Sequence, residues 1–302
     1  MLRVFFAALV GSFLMTPLTS QAEVNVFACE PEWAALTKEI GGNKVQTFTA
    51  THAKQNPHFI RARPSLIAKA RRADLIICSG AGLEVGWLPI LVQKAGAAVQ
   101  PGSIGHLMTS EYVPIIEKPT VVDRSLGDLH PEGNPHVHLN PHNILLIADE
   151  LAKRLEAINP KNSAIFKERL LDFKSRWRKA IVQWEQKSNF LRGSAVVVHH
   201  KSFSYLIKWL GLNRVGSLEP KPGIPPTSLH LEKLLQKLDS EPADLIIRTP
   251  YDPGDASEWL SKKSGTTVLI LPYTIGGDSN AIDLFSLFDR SLALLVGAVV
   301  DQ

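Results

Sequence analysis

The chain has 302 residues, 45% of them hydrophobic and 21% charged, with a formal net charge of +4. That charge is too small to suggest a nucleic-acid partner, and basic residues stand among acids, as in Lys167-Glu168-Arg169, the pattern of a solvated helix face. The length exceeds what a single core serves efficiently, so two lobes are expected.

Residues 1–22 combine Arg3, an apolar stretch over 4–15 and the small-residue pattern Ser20-Gln21-Ala22. This predicts a secretory signal peptide cleaved after Ala22. No later segment reaches about 18 apolar residues, so the mature chain is expected to be soluble. No cysteine stands directly after the cleavage point, which argues against a lipid anchor and places the protein in the periplasm. Cleavage removes one arginine and no acid, leaving a charge of +3.

From residue 24 onward, strand-like runs at 24–28, 45–50 and 74–77 alternate with helix-like stretches at 32–36 and 65–70. That alternation predicts an α/β lobe with a mainly parallel sheet. Cys29 and Cys78, the only cysteines, each end one of these runs. A disulfide between neighbouring strands suits an oxidising compartment; two buried thiols and a pair of metal ligands are the alternatives. Residues 117–134, with Asp123, Asp128, His130 and Glu132, form the least regular region and are read as a flap. A helix follows from Pro141, capped by Asn140.

Phe166, Leu170, Phe173, Trp177, Ile181 and Trp184 then recur at three- or four-residue steps. They predict one long helix, capped at Asn162 or Ser163 and ended before Gly193, of roughly 40 Å. Such a helix is stiff enough to hold two lobes at a nearly fixed angle. Beyond it, strand-like runs at 195–198, 245–247 and 268–271 alternate with helical segments at 205–210, 229–238 and 256–262. The division expected is a signal peptide (1–22), a first α/β lobe (23–160), a linking helix (161–193) and a second α/β lobe (194–302).

Three histidines stand where such a fold would expose them. In open α/β sheets, ligands bind beyond the carboxyl ends of the strands. His200 ends the run at 195–199; His58 follows the run at 45–50 and is stiffened by Pro57; His136 follows Pro135. Neutral imidazole is a common ligand for borderline metals, and three or four ligands suffice for tetrahedral zinc. Asp278, after Gly276-Gly277, is the choice for a fourth ligand, against the alternative of an ordinary surface turn; Asp252 and Asp255 are weaker candidates. His138 is read either as a second ligand or as a partner for the start of the helix after it. His199 faces away from His200, and His52, His106, His142 and His230 are assigned surface or supporting roles. There is no His-Glu-x-x-His helix, no nucleophile elbow and no phosphate-binding glycine loop, and no clear general base. An enzyme is therefore not expected.

Several ordered motifs carry a resemblance over 24–302. They are Asn56-Pro57-His58 with Arg63-Pro64-Ser65, Ala73-Asp74-Leu75-Ile76, Asn134-Pro135-His136-Val137-His138-Leu139-Asn140-Pro141, His200-Lys201-Ser202-Phe203-Ser204-Tyr205-Leu206, and Pro222-Gly223-Ile224-Pro225-Pro226-Thr227. In these the chain resembles the cluster A-I solute-binding proteins of zinc and manganese ABC transporters, the ZnuA-like group. The resemblance implies two α/β lobes joined by a rigid helix, with metal held between them by His58, His136 and His200. Manganese-preferring members place a carboxylate where His200 stands, so Zn2+ is the expected cargo and a zinc ABC permease the expected partner. A periplasmic zinc metallochaperone would be a second partner, and the protein is expected to act as a monomer.

Two departures stand out. The loop before the second ligand is short and carries His130 alone, read with His138 as an accessory metal-capture group. The Gly276-Gly277-Asp278 ending most resembles the AztC-like branch, in which an aspartate completes a three-histidine site. The alternatives are manganese as cargo, a surface adhesin on the same scaffold, which the missing lipid-attachment cysteine opposes, and a zinc hydrolase, which the missing base opposes.

Overall fold

The computed structural model describes residues 23–121, 123, 127 and 129–300. The predicted signal peptide lies outside them, as does Asp128 of the predicted flap. In the first half, β1 (Val24–Ala28), β2 (Val45–Thr49), β3 (Leu75–Cys78) and β4 (His106–Met108) form a parallel sheet in the order β2-β1-β3-β4. In the second, β5 (Ala195–Val198), β6 (Asn213–Ser217), β7 (Leu245–Arg248) and β8 (Thr267–Ile270) repeat that order as β6-β5-β7-β8, again parallel. Parallel strands need crossovers, and helices supply most of them. They are α1 (Pro31–Gly41), α2 (Pro64–Ala70) and α3 (Leu88–Lys94) in the first half, and α6 (Ser204–Leu210), α7 (Ser228–Leu238) and α8 (Asp255–Ser264) in the second.

Between the halves run α4 (Pro141–Ile158) and the 26-residue α5 (Ser163–Ser188). Phe166, Phe173, Trp177, Ile181 and Trp184 form the buried stripe of α5. The Trp177 indole donates to the Pro141 carbonyl at 2.8 Å, and the Trp184 indole to Asp289 on the last helix, α9 (Leu284–Val300), also at 2.8 Å. Both bonds let a large aromatic surface be buried without stranding its N–H. One apolar core runs through both halves, from Val26 and Trp33 through Phe173 and Trp177 to Val198 and Phe288. Two smaller cores back the outer faces of the sheets, one around Phe27, Ile76 and Trp87, the other around Val197, Ile246 and Leu260.

Cys29 and Cys78 follow β1 and end β3, which are hydrogen-bonded neighbours, and they form a disulfide with a Cα–Cα distance of 4.8 Å. The carboxyl ends of the central strands of both sheets meet at one cleft. The predicted flap begins beside it: the amide of Ile116, just before the flap, donates to the Tyr205 hydroxyl, and Glu117 pairs with Arg214 at 2.8 Å.

Candidate metal centre

Three Asn-Pro-His triplets fold alike. At 56–58, 134–136 and 140–142, the asparagine Oδ1 accepts a hydrogen bond at 3.0 Å from the backbone N–H of the histidine two residues on. The proline between them fixes φ, so the turn has little freedom and the imidazole leaves it in a set direction. The first two triplets present His58 and His136 to the cleft. The third starts α4, where His142 pairs with Glu185 in solvent. His200 arrives from the other lobe, just past β5, whose residues Val196, Val197 and Val198 are fully buried. Strand order reverses about β5, the position at which α/β sheets leave a crevice.

The ring centroids of His58, His136 and His200 are 5.4 Å, 5.4 Å and 5.7 Å apart, and one nitrogen from each lies within 4.8 Å of the others. Each ring is held on its Nδ1 side by a different oxygen: Asn56 Oδ1 at 2.8 Å from His58, Tyr273 Oη at 2.7 Å from His136, and Glu219 Oε2 at 2.6 Å from His200. With the proton kept on Nδ1, each Nε2 can offer a lone pair to a metal. The Nε2 of His136 is buried and has no hydrogen-bond partner among the described residues. Leaving such a group unpaired costs roughly 1–3 kcal/mol, which a bound cation would recover.

Electrostatics point the same way. Burial, and then the neighbouring His200 and His130, push the His58 imidazole well below its ordinary range. Burial and then His58 and His200 do the same to His136. Both rings therefore stay neutral near pH 7, the state that metal ligation requires.

His130 joins the cluster from the flap, its Nε2 only 3.1 Å from His58 Nε2. A tetrahedral ion with nitrogens at about 2.0–2.1 Å would space its ligand atoms roughly 3.3 Å apart, so this pair already has a ligand-to-ligand separation. His130, His136 and His200 line a cavity of about 40 Å³. That is room for an ion and a water, and a second cavity of about 200 Å³ is lined by His58, His200, Glu219 and Tyr251. A larger cavity of about 580 Å³ opens at the β1–β2 edge among Phe48, Lys69 and Arg72, and no metal-ligating side chain lines it.

Asp278 is not brought to the cluster. Its Oδ1 accepts from the Asn280 amide at 2.8 Å and its Oδ2 pairs with Arg290 on α9 at 3.0 Å. The Asn280 amide first, and then Arg290, hold its carboxyl below the ordinary range. The turn closes on itself, Gly276 N donating to the Ala281 carbonyl at 2.7 Å, and this directs the carboxylate toward α9 instead of inward. His138 is buried with its Nε2 2.8 Å from the Tyr273 carbonyl, so that nitrogen is already engaged. Asp252 accepts from the Thr249 amide at 2.8 Å, and Asp255 lies in the first turn of α8. His52, His106 and His230 make local contacts with Lys54, Val99 and Ser217. His199 stands outside the cluster beside His200.

The profile of the family described as ZnuA, zinc-uptake complex component A, periplasmic, matches residues 26–298. The chain belongs to this family. Among curated relatives of the ZnuA family member described here is the manganese ABC transporter substrate-binding lipoprotein PsaA of Streptococcus pneumoniae, 25% identical over 240 residues, which are 78% of this chain and 75% of that one. Another is the iron ABC transporter substrate-binding lipoprotein MtsA of Streptococcus pyogenes, 24% identical over 261 residues, covering 84% and 80%. A crystal structure of ZnuA superposes with a TM-score of 0.74 over 91% of this chain and 99% of that one, at 19% identity, a likeness of fold. As a family member the chain is a metal-binding component that works with an ABC-type membrane permease, and it is not an enzyme. The family is described as periplasmic and the relative PsaA as a lipoprotein, which is consistent with a secreted protein. No helix among the described residues is long and apolar enough to cross a membrane.

The oxygens that orient the rings were not visible in the sequence reading. Glu219 lies 19 positions from His200, and Tyr273 lies 137 from His136. Only Asn56 carried a local signal, as the asparagine of an Asn-Pro-His triplet.

Proposed function

We propose that this protein captures one Zn2+ in the periplasm through the Nε2 atoms of His58, His136 and His200, with His130 as a fourth nitrogen donor, and delivers it to its permease. The cluster of nitrogen donors, with no carboxylate among them in the described residues, carries this reading. Imidazole suits zinc, whereas carboxylate and water suit manganese. Relatives named for manganese and iron make the choice of ion the point to test.

On this reading the mature chain begins after Ala22, the lobes 23–160 and 194–302 hold the ion between them on the rigid linker 161–193, and a periplasmic zinc metallochaperone is a donor upstream. The test is metal analysis of the mature protein, with competition by a chromophoric chelator for Zn2+ and for Mn2+. One equivalent of Zn2+ is expected, held on the order of 100-fold more tightly than Mn2+. Equal affinities would overturn the zinc assignment, and undiminished binding by His200→Ala would overturn the site.

A further inference from the structure

Behind His136 a chain of buried polar groups crosses from one lobe to the other. Glu32 on α1 is fully buried; one of its oxygens accepts from the Thr274 hydroxyl, while the other, 3.2 Å from His138 Nδ1, makes no hydrogen bond among the described residues. His138 Nε2 donates to the Tyr273 carbonyl at 2.8 Å, and Tyr273 Oη meets His136 Nδ1 at 2.7 Å. The Tyr273 ring stands edge-on between the two imidazoles, 4.8 Å from His138 and 5.4 Å from His136 by ring centroids.

Glu32, His138, Tyr273 and Thr274 are exposed by 0%, 1%, 1% and 3%. Apolar side chains would fill this space at far lower desolvation cost, so the burial of so many polar groups calls for a role other than packing. The chain ends on His136, whose Nε2 is buried without a partner among the described residues. It also joins α1 to the segment after β8, so the link from Glu32 to Thr274 sets where Tyr273 sits relative to the first lobe.

We propose that Glu32, acting through Thr274 and the adjoining Tyr273, is a positioning residue that holds His136 in its metal-ligating orientation across the lobe boundary. This rests on His136 being a ligand. Without Glu32, the Tyr273–Thr274 segment loses its anchor on α1, the hydroxyl drifts from His136 Nδ1, and the ring turns more freely. Metal then leaves faster, while the cleft mouth through which it enters is untouched.

The experiment measures Zn2+ release from the mature protein into excess chelator, together with equilibrium competition, for Glu32→Ala, Glu32→Gln, Tyr273→Phe, His136→Ala and two double variants. Glu32→Ala and Tyr273→Phe should each speed release by about 10-fold or more, as loss of a ligand-orienting partner does. Glu32→Gln, which keeps an oxygen for Thr274, should fall between Glu32→Ala and the parent. Because the residues act in series, Glu32→Ala added to Tyr273→Phe should change little further, and added to His136→Ala should leave the residual affinity unchanged. Fully additive effects, or parental release from Glu32→Ala, would overturn the positioning role. An unaltered affinity in His136→Ala would instead overturn the site itself. Should Glu32→Ala fail to fold, Thr274→Val breaks the same link at similar volume and must show the faster release.

Discussion

His200 Nδ1 and Glu219 Oε2 lie 2.6 Å apart, and the same carboxylate oxygen accepts from the Gly223 amide at 3.0 Å. The carboxylate is thus fixed by the loop after β6 and in turn fixes the imidazole. A carboxylate behind a histidine raises the basicity of its other ring nitrogen as a metal ligand. Glu219→Gln should keep the shape and weaken Zn2+ binding by about 10- to 100-fold in chelator competition, with stoichiometry unchanged. Affinity equal to the parent would mean that β5 alone orients His200.

Asp278 and His130 exchange the places that the sequence suggests for them. The ion pair with Arg290 and the bond to Asn280 occupy the Asp278 carboxylate, whereas His130 Nε2 faces His58 Nε2. Asp278→Ala should leave Zn2+ affinity within about two-fold of the parent and lower stability by no more than about 1 kcal/mol, since its pair is partly exposed. His130→Ala should reduce affinity by about 10-fold or more through loss of a donor. Isothermal titration beside thermal melts separates the two effects, and the reverse pattern would restore the aspartate as the fourth ligand.

Most of the architecture was legible because it rests on local patterning. The buried runs that became β1, β3, β5 and β7, and the aromatic stripe of α5, have the periods of the elements they form. β4 and β6 did not show: one is three residues long, and the other, Asn-Arg-Val-Gly-Ser, buries only Val215. Each is an edge strand, placed by its neighbour's hydrogen bonds more than by its own side chains. The three histidines that converge at the cleft were legible from strand ends and prolines. Its oxygen partners were not, because Tyr273 and Glu219 reach the imidazoles only through the tertiary fold. The direction of Asp278 was not legible for a local reason: two glycines permit a turn in either direction, and the hydrogen bonds over 276–281 accompany the one that pairs its carboxylate with Arg290.

Glu30 and Glu84 lie buried beside the disulfide and predict a pH-dependent stability. Burial pushes the Glu84 carboxyl up to about 7 against the pull of the Gly80 and Ser79 amides, and burial with the nearby Glu84 pushes Glu30 well above its ordinary range. For a carboxyl raised above its unfolded value near 4.5, the folded state holds a proton that the unfolded chain releases. Stability from Glu84 is therefore complete below pH 4.5 and is lost as pH rises toward 7. His58 and His136 act oppositely: their folded values lie below 6.5, so they cost stability as pH falls below that point. Glu84→Gln isolates the first effect. Denaturant melts of metal-free protein should show the stability of the parent relative to Glu84→Gln falling by an amount of order 3 kcal/mol between pH 4.5 and 7. A pH-independent difference would place Glu84 at its ordinary value.

The disulfide closes a span of 49 residues that holds β2, the His58 turn and α2. By the chain-entropy account, releasing a loop of that length costs about 4 kcal/mol, and both sulfurs are wholly buried, so replacing them by smaller groups adds a packing loss. Cys29→Ala/Cys78→Ala should lower unfolding free energy by about 2–5 kcal/mol in denaturant melts. The sulfurs belong to a separate group with Glu84, apart from the imidazole cluster, so this variant should still bind one equivalent of Zn2+ with affinity within about 10-fold of the parent. The reduced parent protein should also bind one equivalent. If it took up two while the double variant took up one, the thiols and Glu84 would constitute a metal site of their own, and the bridge would have a role beyond closing the loop.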